Sequence, residues 1–243
     1  QRGLQLRAWH RASSGKSVIS IHSVETDGTS LDFSEQAPVI APYRPTWEAQ
    51  RLGRSVTVEG ERLVLRADSR VLEGNDPRLH VLGNTDYIGA SIGLSSESFI
   101  SDGDGVLVDI SGILYNDLSE TPEGTQGAVF VALRLVANGD GERYVETCAF
   151  RSNDSDFGSV SQLIGNDDST CPRMSIAPEL DTAYSASVQL DREASTLTFR
   201  FAEEEFVYDI PTQIFEFTDR TVGVRARASD GSAVVAFVDD LRF

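Results

Sequence analysis

Two adjacent carboxylates, Asp239 and Asp240, interrupt the apolar run "AVVAFVDDLRF" that ends the chain. Strict alternation puts Asp239 with Val235, Phe237, Leu241 and Phe243, and Asp240 with Val234, Ala236, Val238 and Arg242. On that reading one carboxylate points with the core-seeking residues, which is costly unless an opposite charge or a metal compensates it. Calcium gathers several oxygen ligands from carboxylates, carbonyls and water, and an Asp at the rim of a sheet suits it. Asp239 is therefore a candidate ligand for a structural calcium ion. The alternative is an arginine partner, or a tie to a neighbouring loop. "SDGDG" supplies two further candidates, Asp102 and Asp104. An EF-hand would need a Glu at the twelfth loop position, where Ile113 stands, so a hairpin turn is the primary reading.

Groups suited to catalysis are sparse. His10, His22 and His80 are the only histidines, and none lies near a serine in a nucleophile-elbow pattern. Glu25, Asp27, Asp32 and Glu35 cluster in "ETDGTSLDFSE", but a glycine-centred turn interrupts them, and Glu203 and Glu205 of "AEEEF" fall at a hairpin end. Aromatic residues offer a different chemistry, because the C–H faces of sugars stack on Trp and Tyr. Tyr87 in "NTDYIG" and Tyr115 in "LYND" stand beside Asp and Asn, which can bond hydroxyls, and Trp47 is a third candidate platform.

The elements that must position these residues are strands. Val106, Val108 and Ile110 alternate in "GVLVDISGILY", and Val129, Val131, Leu133 and Leu135 in "AVFVALRLVA". "YSASVQLD" sets Tyr184, Ala186, Val188 and Leu190 on one side, and "STLTFRF" sets Leu197, Phe199 and Phe201. In "TVGVRARA", Val222, Val224, Ala226 and Ala228 oppose outward Arg225 and Arg227. Period two with β-branched and aromatic enrichment is a strand signal. "EGE", "SDGDG", "ANGDGE" and "SDGS" punctuate the strands as turns. Many strands without crossover helices predict an all-β fold of antiparallel sheets, a sandwich or barrel. Residues 1–50, with three prolines between Pro38 and Pro45, read as one strand plus a strap or linker, and residues 51–243 as the sandwich.

The chain has 243 residues and a net charge of −17, from 21 basic and 38 acidic side chains. Such a field repels phosphate backbones and anionic lipid surfaces, which argues against nucleic-acid and membrane partners. No apolar run reaches the ~20 residues of a membrane-spanning helix. Cys148 and Cys171 match no zinc pattern and are read as a disulfide across a polar loop, which implies an oxidising compartment. Opening on Gln1 without a leader, the sequence reads as a mature secreted form or a trimmed piece.

"VEGERLVLRA", "YIGASIGL", "GVLVDISGILYND", "GAVFVALRLVANGDGERYVETC" and "VVAFVDDLRF" follow one another in order over residues 55–243. This succession resembles the concanavalin A-like jelly-roll superfamily, specifically the laminin-G-like domains of bacterial secreted and surface proteins. The resemblance implies two curved antiparallel sheets, adjacent terminal strands, a structural calcium near an Asp, and a concave face that binds glycans. Glucanases sharing this sandwich carry a strand-borne Glu-x-Asp-x-x-Glu, a spacing missing here. Lyases sharing it use a His and a Tyr in a basic groove, at odds with −17. The expectation is therefore a non-catalytic, secreted, periplasmic or surface-exposed carbohydrate-binding or adhesion module. Its rivals are a structural subunit with protein assembly partners, and a polysaccharide hydrolase or lyase.

Overall fold

The computed structural model describes residues 54–59, 62–70, 78–82, 86–101, 105–115, 127–153, 159–165, 171–210, 214, 217, 219–229 and 231–242. Residues 1–50, Trp47, Asp102 and Asp104 lie outside that set. The strands in chain order are β1 (Arg54–Glu59), β2 (Arg62–Asp68), β3 (Arg78–Leu82), β4 (Tyr87–Leu94), β5 (Val106–Tyr115), β6 (Val129–Ala137) and β7 (Arg143–Ser152). They continue with β8 (Val160–Gln162), β9 (Tyr184–Asp191), β10 (Thr196–Phe201), β11 (Glu204–Asp209), β12 (Asp219–Ala228) and β13 (Ala233–Arg242).

They pair into a seven-stranded sheet, β1-β2-β13-β4-β9-β10-β11, and a six-stranded sheet, β3-β12-β5-β6-β7-β8. Every ladder is antiparallel. The chain changes sheet between β2 and β3, β3 and β4, β4 and β5, β8 and β9, β11 and β12, and β12 and β13. These crossings seat β13 between β2 and β4, and β12 between β3 and β5, giving the concanavalin A-like jelly-roll sandwich.

Alternation decides which side chains fill the sandwich. Val129, Val131, Leu133 and Leu135 of β6 and Val222, Val224, Ala226 and Ala228 of β12 face Ala186, Val188 and Leu190 of β9 and Leu197, Phe199 and Phe201 of β10 in one core. Burying each large apolar side chain contributes roughly 1.5–3 kcal/mol, so the core outweighs any single polar contact. Before β5, Gly105 turns at φ 84°, and a β-carbon there would strike the carbonyl oxygen of Ala137.

The last strand departs from simple alternation. Val234, Ala236 and Val238 enter the core, Asp239 is half-buried and Asp240 exposed, and Leu241 returns to the core. The ladder with β4 shifts register between Asp239 and Arg242, where Asp240 sits at φ 47°. One extra residue at this bulge reverses the parity, so Asp239 shares the outer face with Val235 and Phe237 rather than pointing inward with Leu241.

Candidate functional site in the outer face of the six-stranded sheet

Residues directly opposite one another in a ladder project from the same face. Gly223 of β12 lies opposite Ser111 of β5, Ser111 opposite Ala132 of β6, and Ala132 opposite Cys148 of β7. Their chain neighbours fill the core, so this row belongs to the outer face. The four side chains are small. Even so, Ser111 is 1% exposed, and Ala132 and Cys148 are 0%. A floor this deeply buried must be roofed by the longer residues beside it.

One flanking row carries charge. The register sets Arg225 opposite Asp109, Asp109 opposite Arg134, Arg134 opposite Glu146, and Glu146 opposite Arg173 of an isolated bridge. Arg78 of β3 takes the position opposite Arg225. The other flank is apolar, with Phe130 opposite both Ile113 and Phe150. Arg134 bridges the two flanks. Its guanidinium lies 5.6 Å from the Phe130 ring and 5.4 Å from the Phe150 ring, across Ala132 on its own strand. Arg225 reaches the same Phe130 ring, at 5.1 Å, from two strands away. Two cations thus converge on one aromatic ring, each such contact worth about 0.5–2 kcal/mol.

Glu146 holds Arg134 in place, accepting from Nη1 at 3.2 Å, with both side chains 16% exposed. Arg134 Nε and Ser111 Oγ are buried and have no hydrogen-bond partner among the described residues. At the far end, Arg173 stacks on Tyr144 at 3.6 Å and donates to Glu142 at 3.0 Å. Its segment is fastened to β7: Pro172 O accepts from Thr147 N, and Met174 N donates to Val145 O, each at 2.9 Å. A disulfide joins Cys148 and Cys171 beside it. Glu146, Cys148 and Cys171 are mutually close, but both sulfurs are spent in that bond and offer no thiolate to a metal.

The residues singled out in the sequence are dispersed. Tyr87 opens β4 on the outer face of the other sheet, its hydroxyl end lying over Gly89. Asp86 beside it is bound to Arg192 at 3.0 Å, and burial, opposed by Arg192, raises its carboxyl above the usual range. Tyr115 ends β5, in register with Asp219. Asp239 lies on the seven-stranded sheet, 3.9 Å from Arg62 Nε, and accepts from the amide of Asp240 at 2.9 Å. Arg62 also covers the Phe237 ring at 5.3 Å. The neighbour at Asp239 is thus the arginine partner that the sequence offered as the alternative to an ion.

Arg134, Arg225, Ser111, Glu146, Phe130 and Phe150 were not anticipated. The available signal was the outward set of "VFVALRLVA", where Phe130, Ala132 and Val136 make a face too apolar for open solvent. The −17 describes the whole chain, whereas this row interleaves Arg78, Arg225, Arg134 and Arg173 with Asp109 and Glu146.

No family model matches the chain, and no curated protein matches its sequence. Solved structures do share its fold. An alginate lyase from Pseudomonas aeruginosa superposes with TM-score 0.51 at 13% identity, over 81% of this chain and 89% of that one. A glycoside hydrolase family 16 endo-glucanase from Bacteroides ovatus gives 0.50 at 14% identity, over 79% and 84%. A second Bacteroides ovatus family 16 protein, from a mixed-linkage glucan locus and bound to an oligosaccharide product, gives 0.50 at 16%, over 83% and 91%. These likenesses establish the jelly roll. They also correct the expectation of a non-enzyme: the fold match falls on a lyase and glycoside hydrolases, so neither the missing Glu-x-Asp-x-x-Glu nor the acidic composition excludes catalysis.

Proposed function

We propose that this protein cleaves a polysaccharide bound on the outer face of the six-stranded sheet, across β12, β5, β6 and β7. The observation that carries the reading is the roofed floor of that face. Arg134 and Arg225 converge on Phe130, with Phe150 alongside, over the small row Gly223, Ser111, Ala132 and Cys148. Aromatic and guanidinium surfaces side by side suit a sugar chain, whose rings have apolar faces and hydroxyl edges. The row runs perpendicular to the strands with a repeat of about 4.8 Å, close to the length of one sugar residue in an extended chain. Structures with the same fold include an alginate lyase and an endo-glucanase, which supports cleavage over mere attachment.

The test is incubation with a panel of neutral and acidic polysaccharides, reading new reducing ends together with ultraviolet absorbance. Reducing ends without absorbance mean hydrolysis; both together mean elimination, which leaves an unsaturated sugar. Retention of a polysaccharide without any new reducing end contradicts the proposal.

A further inference from the structure

The floor of the outer face continues past β7. An isolated bridge sets Arg173 opposite Glu146, flanked by the bonds that Thr147 N donates to Pro172 O and Met174 N to Val145 O. Carried on by two residues, the same antiparallel register brings Cys171 opposite Cys148. Their Cα atoms are 5.0 Å apart, as directly opposed residues of a ladder are. Cys171 therefore follows Gly223, Ser111, Ala132 and Cys148 in the floor row. Opposed residues project from one face, so Arg173 stands on the outer face with Glu146.

This added segment is held from several sides. Met174 is buried in the core, Ser175 N donates to Glu204 Oε2 of β11 at 2.9 Å, and the disulfide ties Cys171 to β7. Above it, the Arg173 guanidinium lies 3.6 Å from the centre of the Tyr144 ring and donates to Glu142 at 3.0 Å, while 49% of its side chain stays exposed. An unrestrained surface arginine loses rotamer freedom when a ligand fixes it, which opposes binding. Here the ring, the carboxylate and the backbone bridge have already fixed the side chain, so a ligand meets a preformed plane. Pairing with Glu142 offsets the charge, and what remains on offer is a planar stacking surface rather than a bare cation.

We infer that Tyr144 and Arg173 form a further subsite, which takes one more pyranose ring of the bound glycan through the apolar face of that ring. This rests on the reading of the outer face as a polysaccharide site and lengthens that site by one repeat of about 4.8 Å. Because the Cys148–Cys171 bond fastens the segment, the subsite depends on that bond.

The experiment is calorimetry with cello-, xylo- and manno-oligosaccharides and oligogalacturonides, each as a length series from the disaccharide to the octasaccharide. The proteins are wild type, Tyr144→Ala, Arg173→Ala, the double variant Cys148→Ser with Cys171→Ser and, as a control on the other sheet, Arg200→Gln. In the series that binds, wild type should gain about fivefold in affinity at the length that reaches the added segment, the scale of one aromatic contact. Tyr144→Ala and Arg173→Ala should lose that last gain and bind the shorter members as wild type does. The double variant, measured below its melting temperature, should show the same loss, and Arg200→Gln should match wild type throughout. If Tyr144→Ala and Arg173→Ala weaken short and long chains alike, or neither, the subsite is overturned while the glycan face stands. Binding of no series by wild type overturns both.

Discussion

Arg134 and Glu146 meet across the β6–β7 ladder, Nη1 to Oε1 at 3.2 Å, in surroundings that leave each side chain 16% exposed. Little water reaches the pair, so the two residues depend on each other more than surface ions do. The Arg134 guanidinium then stands 5.6 Å from the Phe130 ring and 5.4 Å from the Phe150 ring. The ion pair thereby sets the shape of the outer face as well as its charge.

Removing both partners should therefore cost less than the two single losses added together. Glu146→Gln or Arg134→Ala is expected to destabilise the fold by ~2 kcal/mol, below the range for a fully buried pair. The double variant should lose less than the sum of the two. Urea unfolding of the four proteins gives the coupling directly, and strict additivity would show that the pair contributes nothing.

The Cys148–Cys171 bond closes a loop with a sequence separation of 23. Replacing both residues with serine should cost about 3 kcal/mol, mostly through the unfolded state. The same change should loosen Arg173, two residues after Cys171, from its seat on Tyr144. Denaturation midpoints with and without reductant test the first effect, and an unchanged midpoint on full reduction would contradict it.

Two glycines on the outer face of β4 should respond differently to the same substitution. A β-carbon at Gly93 would meet the Phe237 ring and the backbone carbonyl of Thr182, whereas at Gly89 it would meet the hydroxyl end of Tyr87. A side chain swings aside more easily than a main-chain carbonyl. Gly93→Ala should therefore cost roughly 1–3 kcal/mol and Gly89→Ala distinctly less. Thermal melts of the two variants decide it, and the reverse order would refute the packing described.

Acid should act through the loop that joins β8 to β9. Hydrogen bonds from Ser96, with a further one from Ser95, hold the Asp181 carboxyl below its ordinary value. Arg70 does the same for Asp68. A carboxyl depressed in the folded state contributes stability above the unfolded value of about 3.9, and that contribution is lost as pH falls through the lower folded value. Asp86, raised by burial, acts in the opposite sense: its ionised form is penalised above its folded value. Asp181→Asn should flatten the stability–pH curve below about pH 4. Urea titrations across that range measure it, and a curve parallel to wild type would exclude the effect.

What the sequence reveals here is parity, and what it hides is register. Val222, Val224, Ala226 and Ala228 announce a core face by simple alternation, and the structure buries all four. Ser111, Ala132, Cys148 and Gly223 are scattered along the chain and become one row only when four strands pair. No local pattern encodes that juxtaposition. The terminal strand misleads for another reason: the bulge at Asp240 adds one residue, and period-two reasoning past a bulge assigns every side chain to the wrong face. The cysteine pair was legible because two cysteines leave one pairing to consider. The mixed row of arginines, Asp109 and Glu146 likewise exists only once β12, β5, β6 and β7 are in register.

The proposed function puts glycan on the outer face of the six-stranded sheet rather than on the opposite one. Its most direct test compares Phe150→Ala with Tyr87→Ala, one aromatic from each face, by affinity electrophoresis in a gel containing the polysaccharide that the protein cleaves. Phe150→Ala should abolish retardation, while Tyr87→Ala should migrate like wild type. Retardation kept by Phe150→Ala and lost by Tyr87→Ala would contradict it.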